Sequence, residues 1–426
     1  MRFCMEKDKY RSIVGAYLEY IRKEENLSQA FVADNLHINK GYLSRIENNG
    51  TNISDYYIEK ITEFIGVDFV NDSQILNETK LVIQDFFDAY ISLDVEKRKN
   101  ILKDYLSAYN NFRNSPAFFH FTLLNFIYTT EYIHDFVKAK KELEILNAYV
   151  NRVMNEKEKC IFNIFKAKYY EYQYEYRKSI RILEKAEEYC STFSDGRYLA
   201  TILHVKAVIY NITNQGFSAY LNANRSREYF KNSTYFKRLR NVQICIANSL
   251  GVMHKFQEAI HMYLNLLKHN SNKDMAFQQL VNENLSWCSL GAKNYEQAIA
   301  YAQEAYALGS TYEELFLNTP LALYYEGKYE DCISKIDAIL EKRTDFYLYE
   351  FLEVLKYDIE KNESAFFKHA YHLKVLFIKY YEFEHLEILL RIMLKHYKTL
   401  EDNEKVIALQ SELIDVLDCK TGEIGE

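Results

Sequence analysis

Three polar and basic residues at helical spacing, Lys40, Ser44 and Arg45, are the strongest chemical signal in this sequence of 426 residues. Residues four positions apart share one face of a helix, and the next residue lies beside them. An arginine can donate two parallel hydrogen bonds to guanine, and a lysine can contact guanine or a phosphate. We therefore predict a helix over about residues 39–48 whose exposed face is suited to the DNA major groove.

Signals for three further helices surround this one. Residues 10–25 carry apolar side chains at helical spacing, and Ser28 is a good N-cap for a short second helix. Asn39 can cap the third helix, and a fourth covers about residues 54–65 and ends at Gly66. The side chains predicted to face the interior of this bundle are Ile13, Tyr17, Leu18, Ile21, Phe31, Val32, Leu36, Leu43, Ile46, Ile58, Ile61 and Ile65.

Residues 10–69 resemble the XRE/Cro-type helix-turn-helix family. The stretches that carry the resemblance are LSQAFVADNL, GYLSRIENN and ITEFIGVDF. The family commonly has Gly in the turn where this chain has His37, so a positive φ is expected there. The resemblance implies a structural role for Glu47 and a phosphate contact from Gln29. It implies contacts to base edges or flanking phosphates from Asn39, Lys40, Gly41, Ser44 and Arg45. The alternative is a four-helix bundle that does not read DNA.

Composition indicates an all-α protein, because only 12 Gly and 2 Pro are present while 48% of the residues are hydrophobic. The formal net charge is −7, and residues 1–66 contain nine Lys and Arg against ten Asp and Glu. This charge balance does not favour general nucleic-acid binding. Any affinity for DNA must therefore come from the placement of the charges and from dimerisation.

The seven cysteines, at positions 4, 160, 190, 245, 288, 332 and 419, show no CxxC spacing. We expect them to be buried thiols of a protein in a reducing cytosol. No apolar run reaches the ~18 residues of a membrane span, and the N-terminal MRFCMEKDKYR is not followed by the apolar segment of a signal peptide. We expect no contact with a membrane.

Motifs for catalysis or cofactor binding are missing from the sequence, which has no GxGxxG, P-loop, HExxH or nucleophile elbow. His369 and His372 share a helix face, but His120, His134 and His385 have no evident acidic partner at metal-ligand spacing. We therefore expect no enzyme activity, no cofactor and no metal site.

Residues 130–345 contain an internal repeat. An aromatic residue is followed three positions later by a small one or by Tyr220, and the aromatic residues recur at intervals of 34–41. The pairs are Phe136–Ala139, Tyr176–Ser179, Phe217–Tyr220, Phe256–Ala259, Tyr295–Ala298 and Tyr329–Cys332. A second small residue lies about nine positions upstream of four of these aromatic residues: Ala167, Ala207, Ala247 and Ser286.

This pattern resembles the tetratricopeptide repeat, which implies helix pairs stacked into a right-handed α-solenoid with a concave face. The period is mostly longer than the usual 34, and Gln173-Tyr174 or Asn214-Gln215 stand where Gly is usual, so HEAT-like pairs are an alternative. Pro320 must either kink the first helix of the Tyr329 pair or lie near its start; we favour the second. Repeats before residue 130 and after residue 345 are too degenerate for their positions to be assigned from the sequence.

Three Asn in helix interiors invite a ligand-binding explanation, because Asn competes with the helix backbone and its amide can both donate to and accept from a peptide group. Carrying the groove positions of the repeat over to this chain gives a candidate peptide-binding set of Lys168, Asn211, Asn248, Glu283, Asn284 and Trp287. The alternative for each Asn is a solvated surface position or a cap.

A helix-turn-helix head over residues 1–70 and a tetratricopeptide-like body over residues 71–426 resemble the peptide-sensing Rap/Rgg/NprR/PlcR/PrgX regulators of Gram-positive bacteria and their phage arbitrium relatives. The resemblance implies a cytoplasmic homodimer that binds a double-stranded DNA operator and is regulated by a short signal peptide held in the body. One alternative is an adaptor whose body binds a protein and whose head is secondary. A phosphatase-like body of the Rap type is less favoured, because that type lacks a DNA-binding head.

Overall fold

The computed structural model describes residues 2–49, 54–107, 112–269, 274–341 and 346–421, and in these ranges it confirms the predicted all-α fold. They form 22 α-helices and contain no strand, and none of these helices is long and apolar enough to cross a membrane. In chain order the helices are α1 (Arg2–Glu24), α2 (Gln29–Asn35), α3 (Lys40–Asn49), α4 (Asp55–Ile65), α5 (Ser73–Ile91), α6 (Val95–Ser107), α7 (Phe118–Tyr128), α8 (Phe136–Val153), α9 (Glu156–Tyr172), α10 (Tyr176–Cys190), α11 (Gly196–Ile212), α12 (Gly216–Phe230), α13 (Phe236–Val252), α14 (Phe256–Lys268), α15 (Met275–Gly291), α16 (Tyr295–Ala307), α17 (Asn318–Glu326), α18 (Tyr329–Leu340), α19 (Leu348–Ile359), α20 (Glu363–Tyr380), α21 (Phe383–Thr399) and α22 (Asn403–Thr421). A π-helical turn (Thr129–Ile133) precedes α8, and a 3-10 turn (Glu313–Leu317) precedes α17.

The chain divides into two compact units, residues 1–202 and residues 203–426, and the boundary falls inside α11. The first unit contains the four helices of the head together with the first helix pairs of the body. The second unit contains the remaining pairs. The domain boundary predicted near residue 70 therefore lies within the first compact unit and stays a prediction.

Nine helix pairs follow the head within the described ranges, from α5–α6 to α21–α22, and a residue in the left-handed conformation stands two positions before each second helix. Before α8 the next residue, Asp135, donates from its N to Thr129 O of the π-helical turn, whereas in the other eight pairs the next residue donates to the carbonyl five positions back in the first helix, as in Lys255 N to Leu250 O at 2.8 Å. This is the Schellman arrangement, in which the left-handed position is usually Gly. The nine residues are Leu93, His134, Tyr174, Asn214, His254, Lys293, Gly327, Lys361 and Glu401. They lie 34–41 residues apart, and their positions define the outer helix pairs, which the sequence pattern could not assign.

The predicted second helices begin where expected at Phe136, Tyr176, Phe256, Tyr295 and Tyr329, but the copy near residue 217 is shifted by one. Its helix begins at Gly216, and its buried small residue is Ala219 rather than Tyr220. A Cβ at Gly216 would lie 2.7 Å from Met253 Cγ. Close packing of α13 therefore excludes the aromatic side chain found at this position in the other copies.

Pro320 lies in the first turn of α17, as favoured from the sequence, because α17 begins at Asn318. A proline is tolerated there, since the amide hydrogens of the first turn have no partner inside the helix. The kinked-helix alternative is wrong.

Of the twelve head side chains predicted to face the interior, nine are buried, Leu36 and Ile65 are half-buried, and one is exposed. Val32, Leu43 and Ile46 are fully buried, and Gly66 ends α4 with φ 80°. Phe31, predicted to face inward, is 51% exposed, because the short helix α2 buries Val32 and Ala33 instead. The Phe31 ring lies 6.1 Å from that of Phe64 at the edge of the bundle.

Candidate functional site

Helix α3 separates an apolar face from a polar one. Leu43 and Ile46 are fully buried, whereas Lys40 and Arg45 are exposed and Ser44 is partly exposed. Asn39, also exposed, caps the helix through a 2.7 Å bond from Gly41 N to its Oδ1. The expected positive φ is present at His37, at 53°. The side chains predicted to contact DNA from α3 thus lie together on a solvent-facing surface, and their role in reading bases stays a prediction.

A buried ion pair holds α3 against α1 and α2. The Arg22 guanidinium donates to both Glu47 oxygens, from Nε to Oε1 at 2.6 Å and from Nη2 to Oε2 at 2.9 Å, and both residues are less than 10% exposed. Gln29 Nε2 also donates to Glu47 Oε2 at 2.7 Å. Glu47 therefore organises the head, in line with its expected structural role. Because one of the two Gln29 Nε2 hydrogens is engaged here, a phosphate contact by its side chain would have to come from the second hydrogen or follow a rearrangement.

Arg152 of α8 joins the body to helices α1 and α3 of the head. Its guanidinium donates to the Glu19 carboxylate on α1 and to the main-chain carbonyl of Glu47 near the end of α3. Around it, Tyr20 stacks on Phe118 with ring centroids 4.6 Å apart. Sequence reasoning missed Arg152, since nothing local distinguishes it from other basic residues on helix surfaces. The head is therefore packed directly on α7 and α8 rather than hanging from a linker.

In the first unit, the predicted ligand residue Lys168 is engaged within the protein. Its Nζ lies 3.2 Å from Glu131 Oε1 on the π-helical turn. Burial lowers the pKa of this ammonium, but Glu131, Tyr90 and other neighbouring groups together outweigh burial and raise it. Lys168 is thus a half-buried, charged partner of Glu131, and its role as a peptide contact stays a prediction.

In the second unit, the predicted polar ligand residues also have partners. Asn211 Nδ2 donates to Cys245 O at 3.1 Å, and Asn248 Oδ1 accepts from the Tyr263 hydroxyl. Glu283 accepts from Gln279 and Ser310, and Asn284 donates to Leu280 O at 2.7 Å. The Asn211 bond joins the first helices of two successive pairs, the Asn248 bond joins the two helices of one pair, and the Asn284 bond stays within α15. They explain the mid-helix Asn residues without a ligand, so peptide binding by these four side chains stays a prediction.

Within the second unit, the last helix pair returns to earlier ones through three contacts. Asn214 Nδ2 donates to Val416 O at 2.8 Å, and His254 Nε2 lies 3.0 Å from Glu387 Oε2. The Trp287 and His385 rings are 5.4 Å apart. The partners are separated by about 100 to 200 positions in sequence, so no local signal could have revealed them.

A cavity of about 510 Å³ lies between α21 and the ends of the earlier helix pairs. One stripe of α21 faces the cavity with Glu384, Glu387, Ile388 and Arg391. The opposite walls consist mainly of aromatic and glycine residues, with two polar residues from turns: Gly251, His254, Phe256, Trp287, Leu290, Gly291, Lys293, Tyr295 and Tyr325. A Cβ at residue 291 would approach the Phe256 ring to 2.4 Å. Glycine at this position therefore leaves room for the Phe256 ring against α15. Of the predicted peptide-binding residues, Trp287 alone lines this cavity.

An acidic cluster surrounds His385 at the cavity end nearest Trp287. His385 Nδ1 lies 3.0 Å from Glu382 Oε2, and ligand atoms of Glu314, Glu382 and His385 lie within 4.8 Å of one another. Burial lowers the pKa of His385, but the Glu382 bond and the Glu314 charge outweigh it and raise that pKa. Burial raises the pKa of Glu314.

The sequence analysis expected no acidic partner for His120, His134 and His385, but two of these histidines have one. His120 Nε2 lies 3.4 Å from Glu158 Oε2, and His385 contacts Glu382. The expectation was wrong for both histidines. Glu382 lies three positions before His385, a spacing that was overlooked, and the partner of His120 comes from another helix, α9. Five of the seven cysteines (Cys160, Cys190, Cys245, Cys288 and Cys332) are buried free thiols, as expected. The side chains of Cys4 and Cys419 lie outside the described residues.

These features define a class of protein: a helix-turn-helix domain of the DNA-binding type joined to an array of tetratricopeptide-like helix pairs. Residues 18–70 match the sequence family described as Helix-turn-helix. No curated protein sequence matches the chain.

Several solved structures have a similar fold. The Rap protein complexed with competence and sporulation factor is 14% identical, with a TM-score of 0.66 over 81% of this chain and 99% of that one. NprR in complex with its cognate peptide NprX is 17% identical, with a TM-score of 0.62 over 80% and 99%. Aspartyl phosphate phosphatase F from Bacillus subtilis is 17% identical, with a TM-score of 0.53 over 82% and 95%. The resemblance stated from the sequence is thereby confirmed for the head and for the fold over about 80% of the chain.

Proposed function

We propose that this protein is a transcriptional regulator that binds double-stranded operator DNA through α3 and changes that binding when its repeat body takes up a short signal peptide. The observation that carries the proposal is the exposed face of α3, with Lys40 and Arg45 outside and Leu43 fully buried, in a segment that matches the helix-turn-helix family. The similar fold of NprR and Rap, both solved with bound peptides, supports a peptide as the ligand.

A homodimer in the cytoplasm is part of this proposal. The first 66 residues carry nine basic and ten acidic side chains, so one head offers little electrostatic affinity for DNA. Two heads on a two-fold axis would read two half-sites together, at a spacing that the body sets. A peptide then acts only if it binds two shapes of the protein with different affinities.

A direct test combines peptide titration with DNA binding. Short synthetic peptides encoded beside the gene are titrated into the full chain by calorimetry, and the best binder is added to a gel shift on operator DNA selected from a random pool. We expect one peptide to bind and to change the DNA affinity. If no short peptide binds while a large protein partner co-purifies, the adaptor alternative is favoured instead.

One protein of similar fold is named an aspartyl phosphate phosphatase, so phosphatase activity is a second property to test. We expect this chain to lack such activity, and hydrolysis of an aspartyl phosphate on a response-regulator protein by the purified chain would contradict the proposal.

A further inference from the structure

We propose that the cavity beside α21 is a binding site for a primary ammonium group carried on an apolar body, with the ammonium at Glu384 and the apolar part against Trp287. The shared chemistry has two possible sources, the free amino terminus of a peptide or a small organic amine. The inference rests on the proposed function only for the first source, because the cavity exists whether or not DNA binding is regulated.

Size and wall chemistry support a small organic ligand. A volume of about 510 Å³ lies within the range of about 300–1,000 Å³ that such sites occupy. Two pairs of rings line it: Tyr295 and Tyr325, with centroids 6.0 Å apart, and His254 and Phe256, with centroids 5.2 Å apart. Flat aromatic walls take up apolar groups and attract cations through their negative ring faces.

Charge places the ammonium at one end of the cavity. Glu384 lines the cavity, and its charge contributes to the raised pKa of both His385 and Glu314. These two residues belong to the acidic cluster behind Trp287. Carboxylate oxygens of Glu314 and Glu382 lie within 4.8 Å of a His385 ring nitrogen, and Glu384 immediately precedes His385 in the sequence. All three carboxyls are partly buried, and carboxyls in such surroundings favour an incoming cation.

The other end of the cavity has the opposite character. Arg391 follows Glu384 by seven residues on α21, which places it about 10 Å further along the helix axis. Arg391 and the turn residue Lys293 are exposed at the rim. Glu387, between the two ends, is already bonded to Arg391 and His254. A cation is therefore favoured at the Glu384 end and disfavoured at the rim, which fixes the orientation of the ligand.

Fluorescence provides a direct readout, because Trp287 is the one tryptophan of the chain and lines the cavity. Leu-Phe-Gly amide, its N-acetylated form, 2-phenylethylamine and manganese chloride are titrated separately into the full-length protein. The same titrations use Glu384→Gln, with Glu404→Gln on an exposed position of α22 as the matched control. Calorimetry repeats each titration, and Trp287→Phe identifies the source of the optical signal.

We expect saturable binding of the free-amine peptide, weakened about tenfold or more by N-acetylation and by Glu384→Gln, and unchanged in Glu404→Gln. Binding of 2-phenylethylamine as well identifies small amines as a possible source, whereas binding of the peptide alone identifies an amino terminus. Equal binding of the acetylated peptide, an unaffected Glu384→Gln variant, binding of manganese alone or binding of no probe would each overturn the proposal. None of these results depends on DNA, so failure of the site and failure of the regulatory function are distinguishable.

Discussion

Replacing Arg152 with Ala is expected to loosen the helix-turn-helix head from the body. The variant removes two charge-assisted hydrogen bonds, one to the Glu19 carboxylate and one to the Glu47 carbonyl. Such bonds contribute about 1.5–3 kcal/mol each, and the Arg152 side chain is 26% exposed, which reduces their worth. We therefore expect the free energy of opening of the head to fall by about 2–4 kcal/mol.

Hydrogen exchange measured by mass spectrometry on the native full-length protein tests this magnitude. A loss of about 2–4 kcal/mol lowers the protection of α1–α3 amides by roughly 30- to 800-fold where exchange occurs through opening of the head. Lys141→Ala is the matched control, because Lys141 is an exposed basic residue on the same helix α8. Its effect should stay within about 0.5 kcal/mol. Equal protection of the head in Arg152→Ala and Lys141→Ala would refute the role given to Arg152.

Three other perturbations follow from the same structure. Glu47→Ala leaves the buried Arg22 guanidinium without its carboxylate and should destabilise the head by about 3–5 kcal/mol in urea unfolding, whereas a loss below 1 kcal/mol would contradict the buried pair. Lys361 has a left-handed backbone with φ 58°, and Lys361→Gly removes the strain that a side chain causes there. After the entropy cost of glycine is subtracted, the free energy of unfolding should rise by about 0.5–1 kcal/mol, and a decrease would contradict the turn geometry. Burial raises the pKa of Glu142 to about 7 from its usual 4.5, so the folded state holds this proton more tightly and stability falls by up to about 3 kcal/mol as pH rises from 4.5 past 7. Glu142→Gln should flatten that pH dependence in thermal unfolding, and an unchanged slope would remove Glu142 as its cause.

Much of the fold could be predicted because local signals agree with it. Ser28 and Asn39 cap their helices as expected, through bonds of 3.1 Å to Phe31 N and 2.7 Å to Gly41 N. An aromatic residue begins five of the nine second helices, and a left-handed residue stands two positions before all nine. The register failed near Phe217, where the neighbouring α13 leaves no room for a side chain at Gly216. That constraint is tertiary and leaves no trace in the repeat pattern.

The candidate ligand site was harder to predict for the same reason. Trp287 lines the cavity, but Glu384 and Arg391 come from a helix about 100 residues later, in a part of the chain where the repeat was too degenerate to register. The mid-helix residues Asn211 and Asn248 drew attention as ligand contacts, yet each is bonded to a neighbouring first or second helix. An unusual residue type in a helix interior was a real signal, and the structure shows packing between helices as one sufficient cause of it.

The most direct test of the regulatory function is a gel shift of the full chain on its selected operator, with and without the best-binding peptide. Arg45→Ala is measured beside the parent protein, and Arg177→Ala, at an exposed position of α10, is the control. We predict a shift that Arg45→Ala weakens by about tenfold or more while Arg177→Ala does not, and an operator affinity that the peptide changes by a similar factor. A shift that is indifferent to Arg45→Ala and to every short peptide would contradict the proposed function.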